Sequence, residues 1–355
     1  MRNRKKEYIM IFSYRTRRRL KRASIAALFL LMLFVIGWFC WVLWVERYIV
    51  YTREGATINF DLPVENLSGE IAVPPAAGEA PNIHYNEGAN AINTSTDMTQ
   101  LYGYHITGDM LADDLADVQE RIATLPSGTA VMIDMKTGYG SFYYNSSLAE
   151  AVISQSVNVN DVEALITQMK NKNLYLIARI PAFQDYCYAL NHVTSGIPFT
   201  GGGGALWMDT DGCYWLKPTD SATTGWLTSI ILELRLMGFD EVMLDGFMVP
   251  ESQRVVYNGD READLVATAN KLITSCATSY FTVSFRVSSA TFPLPEGRCR
   301  MYVGNIAGKD VELTAAQSAL ADPQIRLVFL ADTNDTRYDE YSVLRPLHML
   351  ELEDE

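Results

Sequence analysis

The chain has 355 residues and a formal net charge of −13, which is enough length for one large domain with appendages or for two smaller domains. The charge is unevenly distributed, because residues 1–22 hold ten basic side chains and one glutamate (+9), so the rest of the chain carries −22 (−13 minus +9). An acidic body disfavours nucleic acid as a partner.

The basic segment is followed by residues 23–45, which contain no charged side chain. At about 1.5 Å per helical residue, this run can cross the roughly 30 Å hydrocarbon core of a bilayer. Trp38, Trp41 and Trp44 gather toward its far end, where amphipathic rings favour the interface. No small-residue cleavage site follows, so we predict an uncleaved signal anchor. The protein would then be single-pass in the cell membrane, with a cytoplasmic N-terminus and an extracytoplasmic body.

The cysteines and histidines have no metal-ligand spacing. Four cysteines follow the predicted anchor, an even number that permits disulfides without requiring them: Cys187, Cys213, Cys276 and Cys299. The four histidines pair at neither helical nor zinc-finger intervals. We therefore predict no metal site and no cofactor.

The composition changes at about residue 98. Residues 46–97 are rich in proline, glycine, alanine and asparagine and poor in apolar side chains, so we interpret them as an extracytoplasmic stalk. Residues 98–355 alternate buried strands with amphipathic helices, and we interpret them as one domain.

Apolar runs typical of buried parallel strands recur along this domain. They cover residues 101–107, 130–134, 174–178, 242–244, 281–287, 301–303, 325–330 and, with a weaker pattern, 342–350. Helices are predicted at residues 113–123, 160–172, 223–237, 260–276 and 315–320. Residues 288–300 contain two prolines and no helical stripe. The pattern favours a TIM-type (β/α)8 barrel with an irregular second half. The alternative, a doubly wound open sheet, lacks a glycine-rich first turn for a dinucleotide.

Polar side chains occupy the ends of several predicted strands. Asp109 follows the first strand, while Asp134, Arg179 and Asp245 end the second, third and fourth. The carboxyl ends of barrel strands carry the active site, and carboxylates gathered there with an arginine suit glycoside hydrolysis. The alternative interpretation is that the aspartates cap turns and that Arg179 forms a loop-stabilising ion pair with Asp185.

Aromatic residues in the loops after these strands offer flat faces to sugar rings. Trp207 and Trp215 flank an Asp-Gly turn at residues 211–212, which predicts a hairpin insertion. Tyr139, Tyr143 and Tyr144 follow the second strand. Ordinary packing is the competing explanation for all five rings.

Several short motifs occur in consistent order between about residues 100 and 350. They are YGYHITG at 102–108, MIDMK at 132–136, IARIPAFQD at 177–185, WMD at 207–209, WLKP at 215–218, and GFDE at 238–241 followed by Asp245. In these motifs the sequence resembles the bacterial "putative glycosyl hydrolase" domain family. The resemblance implies an alpha-amylase-like barrel and a glycoside hydrolase-like activity on an envelope or environmental polysaccharide or oligosaccharide.

Together, the residues and the resemblance predict a set of site residues. Asp245 and Asp134 are the predicted catalytic carboxylates. The predicted substrate contacts are Arg179, Asp185, Trp207, Trp215 and Asp109.

Departures from the family pattern favour a second hypothesis. Gly246 and Met248 stand where the family has tyrosine and arginine, and Arg286 stands where the family's next strand typically carries an aspartate. The alternative function is a catalytically inactive carbohydrate-binding or scaffolding protein that uses the same cleft. A second carboxylate about 5–10 Å from Asp245 would favour hydrolysis. A salt bridge from Arg286 to Asp245 would count against it.

Overall fold

The computed structural model describes residues 28, 30–38, 41, 49–52, 55–58 and 98–350. The chain divides into two units, residues 1–85 and residues 86–355. In the first unit, residues 30–38 are helical, and the strands Ile49–Thr52 and Gly55–Ile58 pair in antiparallel fashion.

Much of the predicted anchor and nearly all of the predicted stalk lie outside the described residues. Within the part of the chain that is described, no helix combines the length and hydropathy needed to span a membrane. The anchor at residues 23–45 stays a prediction.

Residues 98–350 contain a closed barrel of eight parallel strands in sequential order. The strands are β1 (Tyr102–Ile106), β2 (Ala130–Asp134), β3 (Tyr175–Pro181), β4 (Glu241–Asp245), β5 (Thr282–Arg286), β6 (Met301–Gly304), β7 (Leu327–Leu330) and β8 (Ser342–Pro346). Pairing of β8 with β1, which sets Leu344 opposite Gly103, closes the ring. The predicted TIM-type barrel is confirmed, including its weakly patterned eighth strand, and the open-sheet alternative is wrong.

The helices surround the barrel unevenly. They are α1 (Gly108–Asp113), α2 (Leu115–Thr124), α3 (Val159–Asn171), α4 (Tyr186–Asn191), α5 (Ser221–Met237), α6 (Arg261–Cys276), α7 (Val311–Gln317) and α8 (Pro323–Arg326). Residues 287–300, all of which are described, form no helix between β5 and β6. This confirms the predicted irregular second half.

Two local predictions need correction. The helix predicted at residues 113–123 is α2, and the prediction missed α1 before it, where Thr107 Oγ1 accepts a hydrogen bond from the Met110 amide (3.4 Å) and starts a helical turn. The predicted hairpin around residues 211–212 is reduced to one antiparallel pair between Met208 and Tyr214.

The cysteines that follow the predicted anchor are free thiols. Cys213, Cys276 and Cys299 are buried, and Cys187 is half-buried. The described barrel is therefore held together without disulfides.

Side chains alternate between the barrel interior and the surrounding helices, because successive strand residues point to opposite faces. The interior layer is apolar and consists of Leu101, Ala130, Met132, Ile177, Met243, Tyr302, Val328 and Leu344. Two residues beyond Met132, Ile177 and Met243, the same faces carry Asp134, Arg179 and Asp245. The alternation that fills the core therefore also aims these polar side chains at the carboxyl end of the barrel.

A buried ion pair lies at the opposite end of the barrel, where the strands begin. The side chains of Arg300 and Glu241, which are 1% and 0% exposed, form the pair. The Glu241 carboxylate also accepts hydrogen bonds from the hydroxyls of Tyr302 (2.7 Å) and Tyr175 (2.9 Å). Arg300 donates to the carbonyl oxygen of Thr99 at 2.8 Å. Because these polar groups are satisfied by one another, they form a stable polar plug at this end.

This plug predicts a large stability loss on replacement of one partner. Arg300→Met leaves the Glu241 charge buried without a counter-ion, so the free energy of unfolding should fall by about 3–5 kcal/mol in urea denaturation. Arg337→Met is the control, because the ion pair of Arg337 with Asp335 lies on the surface, and it should leave stability unchanged. Equal losses from the two substitutions would contradict the assigned role of the buried pair.

Candidate functional site

Four neighbouring strands end in side chains of alternating charge. Asp134 ends β2, Arg179 lies near the end of β3, Asp245 ends β4 and Arg286 ends β5. The four strands are adjacent in the barrel, so the side chains meet at one edge. Each neighbouring pair forms an ion pair.

Arg179 joins the two carboxylates. Its Nη1 donates to both carboxylate oxygens of Asp134 at 2.8 Å. Its Nε donates to Oδ2 of Asp245 at 2.9 Å, and its Nη2 donates to the same oxygen. The guanidinium is a planar fork that matches carboxylate geometry, so it fixes the positions of both acids.

Two groups besides Arg179 contact the carboxylate of Asp134. His105 on β1 places Nε2 2.8 Å from Oδ1 of Asp134. The amide of Gly108, at the start of α1, donates to Oδ2 at 3.0 Å. Asp134 is 9% exposed, and each of its oxygens has at least two partners.

The carboxylate of Asp245 likewise accepts hydrogen bonds from two groups besides Arg179. Arg286 Nη1 donates to its Oδ1 at 3.0 Å, and the amide of Gly246 donates to that oxygen at 2.8 Å. Gly246 itself adopts a positive φ of 60°, a conformation that glycine reaches without steric cost. The salt bridge that counts against hydrolysis is therefore formed.

These contacts favour the ionised form of both acids. Burial alone would raise the pKa of Asp134, but the hydrogen bond from His105 and the charge of Arg179 outweigh it and lower the pKa to about 2. Burial likewise opposes ionisation of Asp245, and the charges of Arg179 and Arg286 lower its pKa below the ordinary value. A catalytic general acid needs a raised pKa, and neither carboxyl group has one.

The paired acids lie at the floor of a cleft of about 380 Å³. It is lined by Thr107, Gly108, Asp109, Asp134, Lys136, Thr137, Gly138, Tyr143, Arg179, Pro181, Gln184 and Asp245. A second pocket of about 300 Å³ also reaches Asp245 and extends to Arg286. Asp109 is an exposed residue of the first cleft, so of the predicted substrate contacts it and Arg179 line the cleft.

Asp185 lies outside both pockets and holds the loop after β3 in place. It is 3% exposed, and its carboxylate pairs with Lys136 Nζ at 2.8 Å. It also accepts hydrogen bonds from Trp226 Nε1 and from the Tyr188 amide, each at 2.9 Å. The alternative ion pair of Arg179 with Asp185 is wrong, because Arg179 pairs with Asp134 and Asp245 instead.

The predicted tryptophans line neither of these two pockets. Trp215 is buried, and its Nε1 donates to Oδ2 of Asp209 at 2.6 Å. A Cβ on Gly246 would lie 3.9 Å from Trp215 Cη2, so the indole ring approaches the end of β4. Trp207 is half-buried and tilted against Trp215, with ring centroids 6.3 Å apart. Their contact with substrate stays a prediction.

Three residues that the strand-end pattern did not single out complete the site: His105, Lys136 and Gln184. The alternation of side chains along β1 could have identified His105. This residue lies two positions beyond Gly103, on a strand that pairs with β2. Gln184 lines the cleft and donates to Oδ2 of Asp209 at 2.7 Å. No spacing rule identifies Lys136 or Gln184, because their partners come from loops distant in sequence.

Comparison with known proteins identifies a family. The sequence model described as "putative glycosyl hydrolase domain" matches residues 103–292. No curated protein matches the sequence.

Solved structures resemble the fold at low sequence identity. A hypothetical protein from Ruminiclostridium thermocellum ATCC 27405 is 18% identical with a TM-score of 0.44, and the match covers 51% of this chain and 96% of that one. The PgaB (BpsB) glycoside hydrolase domain from Bordetella bronchiseptica is 10% identical with a TM-score of 0.49, over 67% and 86% of the two chains. The GH20 exo beta-N-acetylglucosaminidase from Vibrio harveyi is 8% identical with a TM-score of 0.46, over 65% and 41%. These likenesses add no functional argument to the family match.

The ionised state of Asp134 predicts a pH-dependent contribution to stability. Its folded pKa of about 2 lies below the ordinary 3.8, so the contribution is complete above pH 4 and is lost as the pH falls toward 2. The lowering corresponds to about 2 kcal/mol. In urea denaturation between pH 2 and 7, the difference between wild type and Asp134→Asn should be largest above pH 4 and should shrink toward pH 2.

The matched control is Asp117→Asn, since the side chain of Asp117 lies on α2 and is 44% exposed. Its effect on the free energy of unfolding should be small across the range. A difference between wild type and Asp134→Asn that stays constant from pH 2 to 7 would contradict the assigned ionisation.

Proposed function

Since the chain belongs to the glycosyl hydrolase domain family that it matches over residues 103–292, we propose that its cleft binds a carbohydrate without hydrolysing it. The observation that carries this proposal is the ion pair between Arg286 and Asp245. Arg286 occupies the strand end where the family resemblance implies a carboxylate. The chain keeps the family's barrel and cleft but lacks the acid expected at β5.

Two-carboxylate hydrolysis requires one group that gives a proton and another that acts as nucleophile or base. Asp134 and Asp245 both hold lowered pKa values, so neither is poised to donate a proton. Their oxygens are also engaged by donors from Arg179, His105 and Arg286. A nucleophilic attack would first have to break these charge-assisted hydrogen bonds.

A stack of tyrosines beside the cleft supports sugar binding. Tyr139 follows the cleft residue Gly138 and is 50% exposed. One face of its ring stacks on Tyr186 at 4.7 Å, and Tyr186 stacks on Tyr214 at 5.0 Å. The stack holds the exposed ring in a fixed orientation, which suits contact with the flat apolar face of a sugar.

Hydrolysis is the second candidate function. It is favoured by the presence of two carboxylates around one guanidinium and by Asp109, which is exposed and lines the same cleft. In this version a substrate would displace Arg286 from Asp245.

We also propose that residues 23–45 anchor the protein in the cell membrane, with the barrel on the extracytoplasmic side. The uncharged run and its basic flank support this topology. The barrel would then meet polysaccharides of the envelope or of the surroundings.

A glycan screen of the full-length protein separates the two functions. We expect retention of at least one polysaccharide or oligosaccharide with no release of product. Tyr139→Ala should weaken binding by about tenfold, because an aromatic contact contributes about 1 kcal/mol beyond its buried area. Tyr280→Ala, which removes an exposed tyrosine outside both pockets, is the control and should bind as wild type does.

Cleavage that disappears in Asp245→Asn would overturn the binding-only proposal and establish hydrolysis. Unchanged binding after Tyr139→Ala would exclude the tyrosine stack from the site. Absence of any glycan binding would overturn both functions.

The topology is tested by protease access to intact cells. A C-terminal tag should be digested from the extracytoplasmic side, while a tag at the N-terminus should be protected. Protection of the C-terminal tag in cells whose membrane stays sealed would contradict the anchor orientation.

A further inference from the structure

We infer that Arg286 forms a subsite for a negatively charged substituent of the bound glycan, either a uronic acid carboxylate or a phosphate ester. This inference rests on the proposed carbohydrate binding and adds a substrate class to it. The subsite is the pocket of about 300 Å³ on the β5–β6 side of Asp245.

Most of the hydrogen-bonding capacity of Arg286 is unused. Within the described part of the chain, its guanidinium makes one hydrogen bond, from Nη1 to Asp245. A guanidinium carries five N–H donors, so four remain for a ligand. The side chain is 32% exposed and lines the pocket, so part of the guanidinium is open to an incoming group.

Asp245 does not repel an anion from this pocket as a free carboxylate would. Its charge is shared between Arg179 and Arg286, and its two oxygens are occupied by donors from these arginines and from Gly246. The pocket is lined by Asp245, Gly246, Met248, Arg286, Val287, Ser288, Gly304 and Asn305. Asp245 is the one acidic residue in that set, so the open charge facing the pocket is that of Arg286.

Two further polar side chains face the same pocket. Ser288 and Asn305 are exposed and make no side-chain hydrogen bond with any described residue. Asn305 adopts a left-handed backbone with φ 59°, and such conformations in non-glycine residues concentrate at functional sites. Its amide and the Ser288 hydroxyl would supply donors beside the guanidinium.

Gly304 gives Arg286 the room to lie across the end of β6. A Cβ at this position would stand 3.1 Å from Arg286 Nη2, closer than ordinary van der Waals contact. The backbone here therefore accommodates the guanidinium, which can bind a planar carboxylate or a phosphate through two parallel N–H groups.

The acidic charge of the rest of the chain makes a preference for anionic sugars informative about a local site. Residues 23–355 carry −22, so long-range electrostatics disfavour anions. A preference for an anionic sugar would therefore have to come from a local site.

The test measures dissociation constants of the full-length protein for matched sugars in 0.15 M salt. The probes are galacturonate, its methyl ester and galactose, together with glucuronate, glucose and glucose 6-phosphate. At least one anionic sugar should bind about tenfold or more tighter than its neutral counterparts, because hydrogen bonds between two charged groups are stronger than those between neutral groups. The carboxylate and phosphate arms identify the substituent.

The preference should disappear in Arg286→Gln, so that the charged and neutral sugars of each matched pair bind with equal affinity. Asn305→Gly, which tolerates the positive φ, should reduce the preference in part. Arg254→Gln is the control, because it removes one exposed positive charge outside the pocket, and it should keep the full preference.

Equal affinity of wild type for charged and neutral sugars would overturn the inference and leave the proposed carbohydrate binding intact. A charge preference that survives in Arg286→Gln would also overturn it. Failure to bind any sugar or polysaccharide would instead overturn the proposed function together with the subsite.

Discussion

The guanidinium of Arg179 holds two carboxylates at once, and the geometry of the cleft depends on this contact. Removing the guanidinium would leave Asp134 and Asp245 as like charges at the ends of nearby strands, which raises the pKa of one of them. With it, both acids stay ionised and are fixed in position. His105 and Arg286 extend the network to β1 and β5, so five consecutive barrel strands contribute to one polar layer.

The arginine at the end of β5 affects what this layer can do. A carboxylate there would face Asp245 across neighbouring strands, which is the arrangement from which an acid and a nucleophile can be built. An arginine instead neutralises Asp245 and turns its remaining donors toward the adjoining pocket. This difference is the basis for the proposal that the cleft binds a ligand without proton transfer.

Strand periodicity made the barrel and the centre of the site predictable. Asp134, Arg179 and Asp245 could be placed together because each ends an apolar run, and parallel strands bring their carboxyl ends to one edge. The ion pair of Lys136 with Asp185 could not be predicted, since it joins loops whose relative position depends on tertiary packing. The plug formed by Arg300 and Glu241 could not be predicted for the same reason. The short β8 was weakly patterned, and its identity followed only from closure against β1.

Direct observation of the two carboxyl groups tests the central claim. Carbon-13 chemical shifts of the Asp134 and Asp245 carboxyl carbons, followed by NMR between pH 2 and 8, report their ionisation individually. We expect Asp134 to titrate near pH 2 and Asp245 to have a pKa below the ordinary 3.8 of an aspartate. A titration of either group above pH 5 would reveal a proton-donating acid and would contradict a site built for binding alone.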